Sequence, residues 1–189
     1  MSLVLEPADR VAVTVTFLRM DKAPASPAAS FPGGIEVREL PNCTVEQYRH
    51  FYNAVGAPYL WWLRRTMADR QLAALLRDPR VGIYVLYEDG EPVGFYELDG
   101  TPWPLVNLSY FGMMPQMIGR GIGGAFLRHA VDTAWSRKPD ALTVNTCTAD
   151  HPRALPTYLR AGFRRVREVR EEWSVPRRLG LPIPDALRV

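Results

Sequence analysis

Cysteine is scarce in this chain of 189 residues, with only Cys43 and Cys147 present. Two cysteines so far apart exclude a disulfide framework and a cysteine-based zinc site, and they fit a reducing compartment. Histidine is nearly as sparse, and His50, His129 and His151 fall at no metal-ligand spacing, so no metal is expected. No apolar run approaches the roughly 18 residues that a spanning helix needs. The stretch 1–20 lacks the basic start and solid apolar block of a signal peptide. The expected setting is the cytoplasm, with no membrane partner. Lysine-rich runs and interleaved stacking aromatics are also missing, so nucleic acid is not an expected partner. The arginines crowded into 160–178 read as the solvated face of a strand and its flanks.

What is present is the balance of a globular domain: 47% hydrophobic residues, 23% charged residues and a net charge of +3. The length suits one core and one site. Val11 to Leu18 alternates as a strand, and the Pro-, Ala- and Ser-rich stretch 21–34 then reads as a linker. The expected division is therefore an N-terminal strand and linker over 1–34, and a domain with a Pro-interrupted tail over 35–189. Within the domain, Ile35 to Leu40 is a short strand. Thr44 opens a helix with Gln47 three residues on, a capping-box pattern. A second helical region runs from Tyr59 to Arg77, with a break near Asp69. Val81 to Tyr87 and Pro92 to Leu98 form a hairpin across Asp89-Gly90. Leu105 to Met114 is a strand, Gly121 to Arg137 a long helix, Ala141 to Thr148 a strand, Arg153 to Ala161 a short helix, and Phe163 to Trp173 one or two strands. The sum is an α/β fold: a mixed, mostly antiparallel sheet flanked by helices, with one parallel crossover and an extra N-terminal strand.

The chemistry-bearing feature is the turn between the strand ending at Met114 and the long helix. Gly119, Gly121, Gly123 and Gly124 crowd six residues there, where a helix start leaves backbone N–H groups without partners. Missing side chains permit close approach, and the helix dipole favours negative charge, so the turn suits a phosphate group. Gly119, Gly121 and Gly124 also satisfy the loose pattern GxGxxG. A dinucleotide-binding protein of the NAD type is the alternative, but that fingerprint belongs at the first turn of a βαβαβ unit, and here several strands precede it.

With that turn, the sequence resembles the GCN5-related N-acetyltransferase (GNAT) family. The family's pyrophosphate loop commonly reads Arg or Gln, two residues, Gly, one residue, Gly or Ala; Ile118, Gly121 and Gly123 take those places. A second block, His151-Pro152-Arg153-Ala154-Leu155-Pro156-Thr157-Tyr158-Leu159-Arg160-Ala161-Gly162-Phe163, is similar to the family's Asn-x-x-Ala-x-x-x-Tyr-x-x-x-Gly-Phe. Ile118 departs from a polar residue and His151 from Asn, but neither change removes a backbone donor. Pro156 is expected to kink the short helix.

The resemblance implies an acyl-CoA N-acyltransferase fold that moves an acetyl group from acetyl-CoA to an amine of a small molecule or peptide, by direct attack in a ternary complex. It places Tyr158 as the acid that protonates the departing thiolate, and Glu97 as the carboxylate candidate for the amine's proton, with His or water as other routes. The coenzyme would lie against Phe111, Gly112, Met113 and Met114, the loop Ile118, Gly119, Arg120, Gly121, Ile122, Gly123 and Gly124, and His151. Tyr59, Trp62 and Trp103, with Trp61, stand where the acceptor is bound. Cys147 has no base beside it, which disfavours a covalent intermediate. The rivals are a non-catalytic acyl-CoA-binding sensor and a structural protein that pairs through the N-terminal strand, and a homodimer is left open.

Overall fold

The structure, a computed structural model, describes residues 6–26 and 30–189. Seven strands form one sheet in the order β2-β3-β4-β5-β6-β1-β7. They are β1 (Ala8–Met20), β2 (Ile35–Glu39), β3 (Val81–Glu88), β4 (Glu91–Asp99), β5 (Leu105–Met113), β6 (Ala141–Cys147) and β7 (Arg164–Pro176). Every pairing is antiparallel except β5 with β6. The helices are α1 (Val45–Gly56), α2 (Leu63–Thr66), α3 (Asp69–Leu76), α4 (Gly123–Ser136) and α5 (Ala154–Arg160). Among the described residues no helix is long and apolar enough to cross a membrane.

Local chemistry explains most boundaries. Thr44 Oγ1 accepts from the Gln47 N–H at 3.2 Å while Gln47 Oε1 accepts from the Thr44 N–H at 3.0 Å, which is the expected capping box of α1. Asp89 and Gly90 both take positive φ, at 49° and 87°, as the β3–β4 hairpin turn requires. The helix α4 crosses from β5 to β6, which is what makes that pair parallel. It buries Phe126, Leu127, Ala130, Val131 and Ala134 and keeps Arg128 bonded to Asp132 at 2.7 Å on its open side. Pro156 does not break α5. It stands in the first turn, where the missing N–H would have had no partner, so the expected kink is absent.

Two cores lie on opposite faces of the sheet. Tyr96, Leu98, Leu108, Leu142, Val144 and Leu18 pack under α4 and α5; Val85, Phe95 and Met114 pack under α1 and α3. β1, expected as an appendage outside the domain, is an interior strand. It pairs with β6 from Val15↔Cys147 to Met20↔Leu142 and with β7 along its length. Phe163 to Trp173, expected as one or two strands, lies mostly in the single strand β7, which carries exposed arginines such as Arg164 and Arg165.

One irregularity positions the site. β5 and β6 are paired only from Leu105↔Ala141 to Leu108↔Val144. At the next residue β5 bulges: Leu98 faces Leu108 and Glu97 faces Tyr110, which leaves Ser109 unpaired. A bulge bends its strand. Beyond it β5 follows β4, β6 follows β1, and the sheet splits between them.

Candidate active site

The split opens into a cavity of about 1200 Å³ that reaches both faces of the sheet. On the α4–α5 face it is lined by Phe111, Met113, Leu127, Arg128, Thr157 and Tyr158. On the α1 face it is lined by Tyr52, Trp61, Trp62, Arg64 and Tyr110, with Phe17, Asn145, Glu171 and Trp173 from β1, β6 and β7. The chain after α1 straps the opening. Leu60, at φ 55° and buried, packs on Val13, Val15 and Ala149, across the split from α1. The strap is pinned by the Trp61 Nε1–H, which donates to Asp150 Oδ1 at 3.3 Å.

The glycine turn forms one rim. Gly119 and Gly121 have φ of 85° and 80°, a region that side chains disfavour. A Cβ added at Gly119, Gly121 or Gly124 would meet no atom within 4 Å, so bare backbone there faces the cavity. No side chain caps the start of α4, which leaves its first N–H groups for an outside acceptor. The donor set therefore fits a pyrophosphate. Ile118 lines the cavity as an apolar neighbour. Arg120 turns away, its Nη1 donating to Glu88 at 2.8 Å, and Ile122 is buried in the core. Phe111, Gly112 and Met113 line the cavity. Met114 does not; its N–H donates to the Val93 carbonyl at 2.8 Å and its side chain is buried.

Tyr158 sits on α5 at the split, 7% exposed, with its ring against Phe111 and Phe163 at centroid distances of 6.3 and 5.8 Å. Its hydroxyl has no hydrogen-bond partner among the described residues. Burial, and then the charge of Asp150, hold the phenol well above its ordinary value, so it stays protonated at any physiological pH. His151 lines the cavity and also caps locally, with Nδ1 accepting from the Arg153 N–H at 3.0 Å.

Glu97 does not reach the cavity. It points to the α1 face, is 0% exposed, and is the buried counter-ion of Arg64, whose Nη2 donates to it at 2.8 Å; the Tyr48 hydroxyl also donates to it. Arg64 in turn stacks over Tyr110, 5.1 Å from the ring centroid. The pair forms the floor on the α1 side of the cavity, where Arg64 covers the carboxylate. Trp103 is also displaced. It precedes β5 and is 57% exposed, whereas the split begins after Leu108, so the loop lies at the opposite end of the strand. Tyr59 and Trp62 do line the cavity.

Sequence reasoning missed Asp150, which lines the cavity and accepts from Thr146 Oγ1 at 2.7 Å and the Cys147 N–H at 2.9 Å. Burial raises the phenols of Tyr158, Tyr59 and Tyr110, the charge of Asp150 adding to each, and burial and then Asp150 push the Cys147 thiol up to about 12. So high a thiol is a poor nucleophile. The available signal was position: Asp150 directly precedes the block that begins at His151.

Comparisons agree with this geometry. The sequence model of the acetyltransferase (GNAT) family matches residues 45–163. Among solved structures, a GCN5-related N-acetyltransferase from Sphaerobacter thermophilus is 22% identical with a TM-score of 0.59, over 90% of this chain and 53% of that one. A putative GNAT-family acetyltransferase from Novosphingobium aromaticivorans is 17% identical with a TM-score of 0.58, over 89% of this chain and 68% of that one. A tandem GNAT protein from the clavulanic acid biosynthesis pathway is 15% identical with a TM-score of 0.64, over 89% of this chain and 55% of that one. The chain spans between about half and two thirds of the length of several such structures. No curated protein sequence matches it.

Proposed function

The chain belongs to the GNAT acetyltransferase family, and from that premise we propose that it transfers an acetyl group from acetyl-CoA to an amine in a ternary complex. The observation that carries the reading is the unpartnered Tyr158 hydroxyl at the split between β5 and β6, beside a bare glycine turn. The coenzyme's pyrophosphate would rest on the N–H groups of that turn, and its pantetheine arm along the open edge of β5 at Phe111 to Met113. The acceptor would enter from the α1 face, between Tyr59, Trp61 and Trp62, so an apolar or aromatic amine fits better than a strongly polar one.

In the step itself the amine nitrogen attacks the thioester carbonyl and the carbon–sulfur bond breaks. The thiolate then takes the Tyr158 proton; burial holds the phenol above its ordinary ~10, but the same dry surroundings destabilise the departing thiolate and raise its demand for a proton. Asp150 is the carboxylate at hand on the acceptor side. It would hold the incoming ammonium, which loses one proton to water before the attack and a second, from the nitrogen of the tetrahedral intermediate, after it. Tyr158 is reprotonated from solvent.

The test is coenzyme thiol release from acetyl-CoA over a panel of amines and peptides, run beside calorimetry with coenzyme A and with NAD. Binding of coenzyme A with amine-dependent release supports the reading. Binding without release from any acceptor would make the protein an acyl-CoA sensor, and preferential binding of NAD would overturn the assignment.

A further inference from the structure

The cavity is electrically divided. On the α4–α5 face Arg153 and Arg160 line it without an ion-pair partner among the described residues, as a polyanionic coenzyme requires. On the α1 face the lining carboxylates are Asp150 and Glu171, and Arg64, the arginine there, is neutralised by Glu97. Asp150 is held by Trp61, Thr146 and the Cys147 N–H. Glu171 is held by a single donor, the Trp173 Nε1–H at 2.8 Å, and has no ion-pair partner among the described residues. It is half-buried, and its register partner Val13 turns to the same face as Val15, the partner of Cys147.

We propose that Glu171 reads a second positive charge at the far end of the acceptor, so that the preferred substrate is a diamine with an apolar body. This rests on the acetyl-transfer reading above. The spacing follows from the sheet. β7 lies two strands from β6, on whose inner edge the sheet splits, and strands lie about 4.8 Å apart, so Glu171 stands about 10 Å from β6 and farther from a reaction centre in the split. It is too remote to touch the reacting nitrogen. Phe17 and Trp62 line the same cavity and suit methylene groups, and the Trp173 indole stands beside the carboxylate, where it can face a cation. A charge-assisted hydrogen bond in a half-buried place is worth on the order of tenfold to a hundredfold in affinity.

Three probes of one length test this: octylamine, its ω-amino analogue and its ω-carboxylate analogue. Each is titrated calorimetrically into the protein loaded with coenzyme A, and each is assayed for acetylation. The diamine is expected to bind and react best and the carboxylate worst. Glu171→Gln keeps an acceptor for Trp173 and is expected to lower diamine binding and kcat/KM at least tenfold, leaving octylamine within twofold; Glu171→Lys should favour the carboxylate. Equal binding of diamine and octylamine by the unaltered protein, or a Gln variant that weakens both alike, overturns the proposal. The two readings fail separately. Glu171-dependent diamine binding without acetylation sinks acyl transfer and leaves the charge site standing, whereas acetylation indifferent to Glu171 does the reverse.

Discussion

Replacing Tyr158 with Phe removes one oxygen and keeps the ring. Its hydroxyl has no hydrogen-bond partner among the described residues, and the ring contacts with Phe111 and Phe163 are kept. The fold should therefore lose less than about 1 kcal/mol, the worth of an ordinary hydrogen bond that is not being made here. Affinity for acetyl-CoA should also be nearly unchanged, since the phosphate cradle lies on another element. The rate should fall, because a positioned acid typically contributes ~10²- to 10⁴-fold, or about 3 to 5 kcal/mol of barrier at 1.36 kcal/mol per tenfold. The assay is single-turnover acetylation of an accepted amine, with calorimetry for the coenzyme and denaturant unfolding for the fold. A thioester with a more acidic leaving thiol should shrink the deficit. The pH profile gives an independent sign. Burial and Asp150 raise the phenol's pKa, which preserves the acid form, so kcat of the unaltered enzyme should show no falling limb from this group below pH ~10. A Phe variant within twofold of the parent in kcat, with chemistry shown to limit the rate, would falsify the acid role.

Gly124→Glu puts a carboxylate into open space at the start of α4 without a positive-φ penalty, so it should abolish coenzyme binding in a folded protein; Gly121→Glu should do the same and also lose about 1 kcal/mol to its φ of 80°. Calorimetry and thermal unfolding separate the two effects, and retained affinity in Gly124→Glu would move the phosphate site elsewhere. Glu97→Gln leaves the Arg64 charge half-stranded in the floor and should cost about 3 kcal/mol in stability, with kcat changed less than threefold below the melting range; a hundredfold loss in kcat at unchanged Tm would restore Glu97 as the base. His129 is held below its ordinary pKa by burial, against the opposing charge of Asp132. A depressed histidine contributes stability that is complete above the unfolded value of about 6.5 and is lost as pH falls through the folded value. His129→Gln, which can still pair with the Tyr96 hydroxyl, should show a shallower loss of urea midpoint between pH 7.5 and 5 than the parent, and parallel curves would refute this.

Features set by neighbours in sequence were legible. The Thr44–Gln47 box, the Asp89-Gly90 hairpin and the glycine turn before α4 depend on spacings of a few residues, and the structure forms each of them there; Tyr158 came from the family resemblance, and it lines the same cavity as the turn. What depends on distant pairing was not. Nothing local says that β1 lies between β6 and β7, because an alternating strand does not name its partners. Trp103 and Glu97 failed for related reasons: a strand's sequence does not show at which end its neighbour departs, and alternation gives Glu97 a face without saying that α1 and Arg64 cover it. Glu171 was hidden inside an arginine-rich run whose periodicity reads as solvent-facing, and only its register with Val13 turns it inward.

The place of β1 also bears on the order in which the molecule can be made. β1 leaves the ribosome before any other described strand, yet one of its edges waits for β7, so that Val15 is paired with Val169 only when nearly all the described chain is out. Such non-local pairing is slow to form. The glycine turn and α4 can take shape much earlier, from the segment between β2 and β6. A nascent chain should therefore form the glycine turn and α4 first and the cavity wall of Phe17, Glu171 and Trp173 last, so that, on the proposed reading, competence to choose a substrate is the final event of folding.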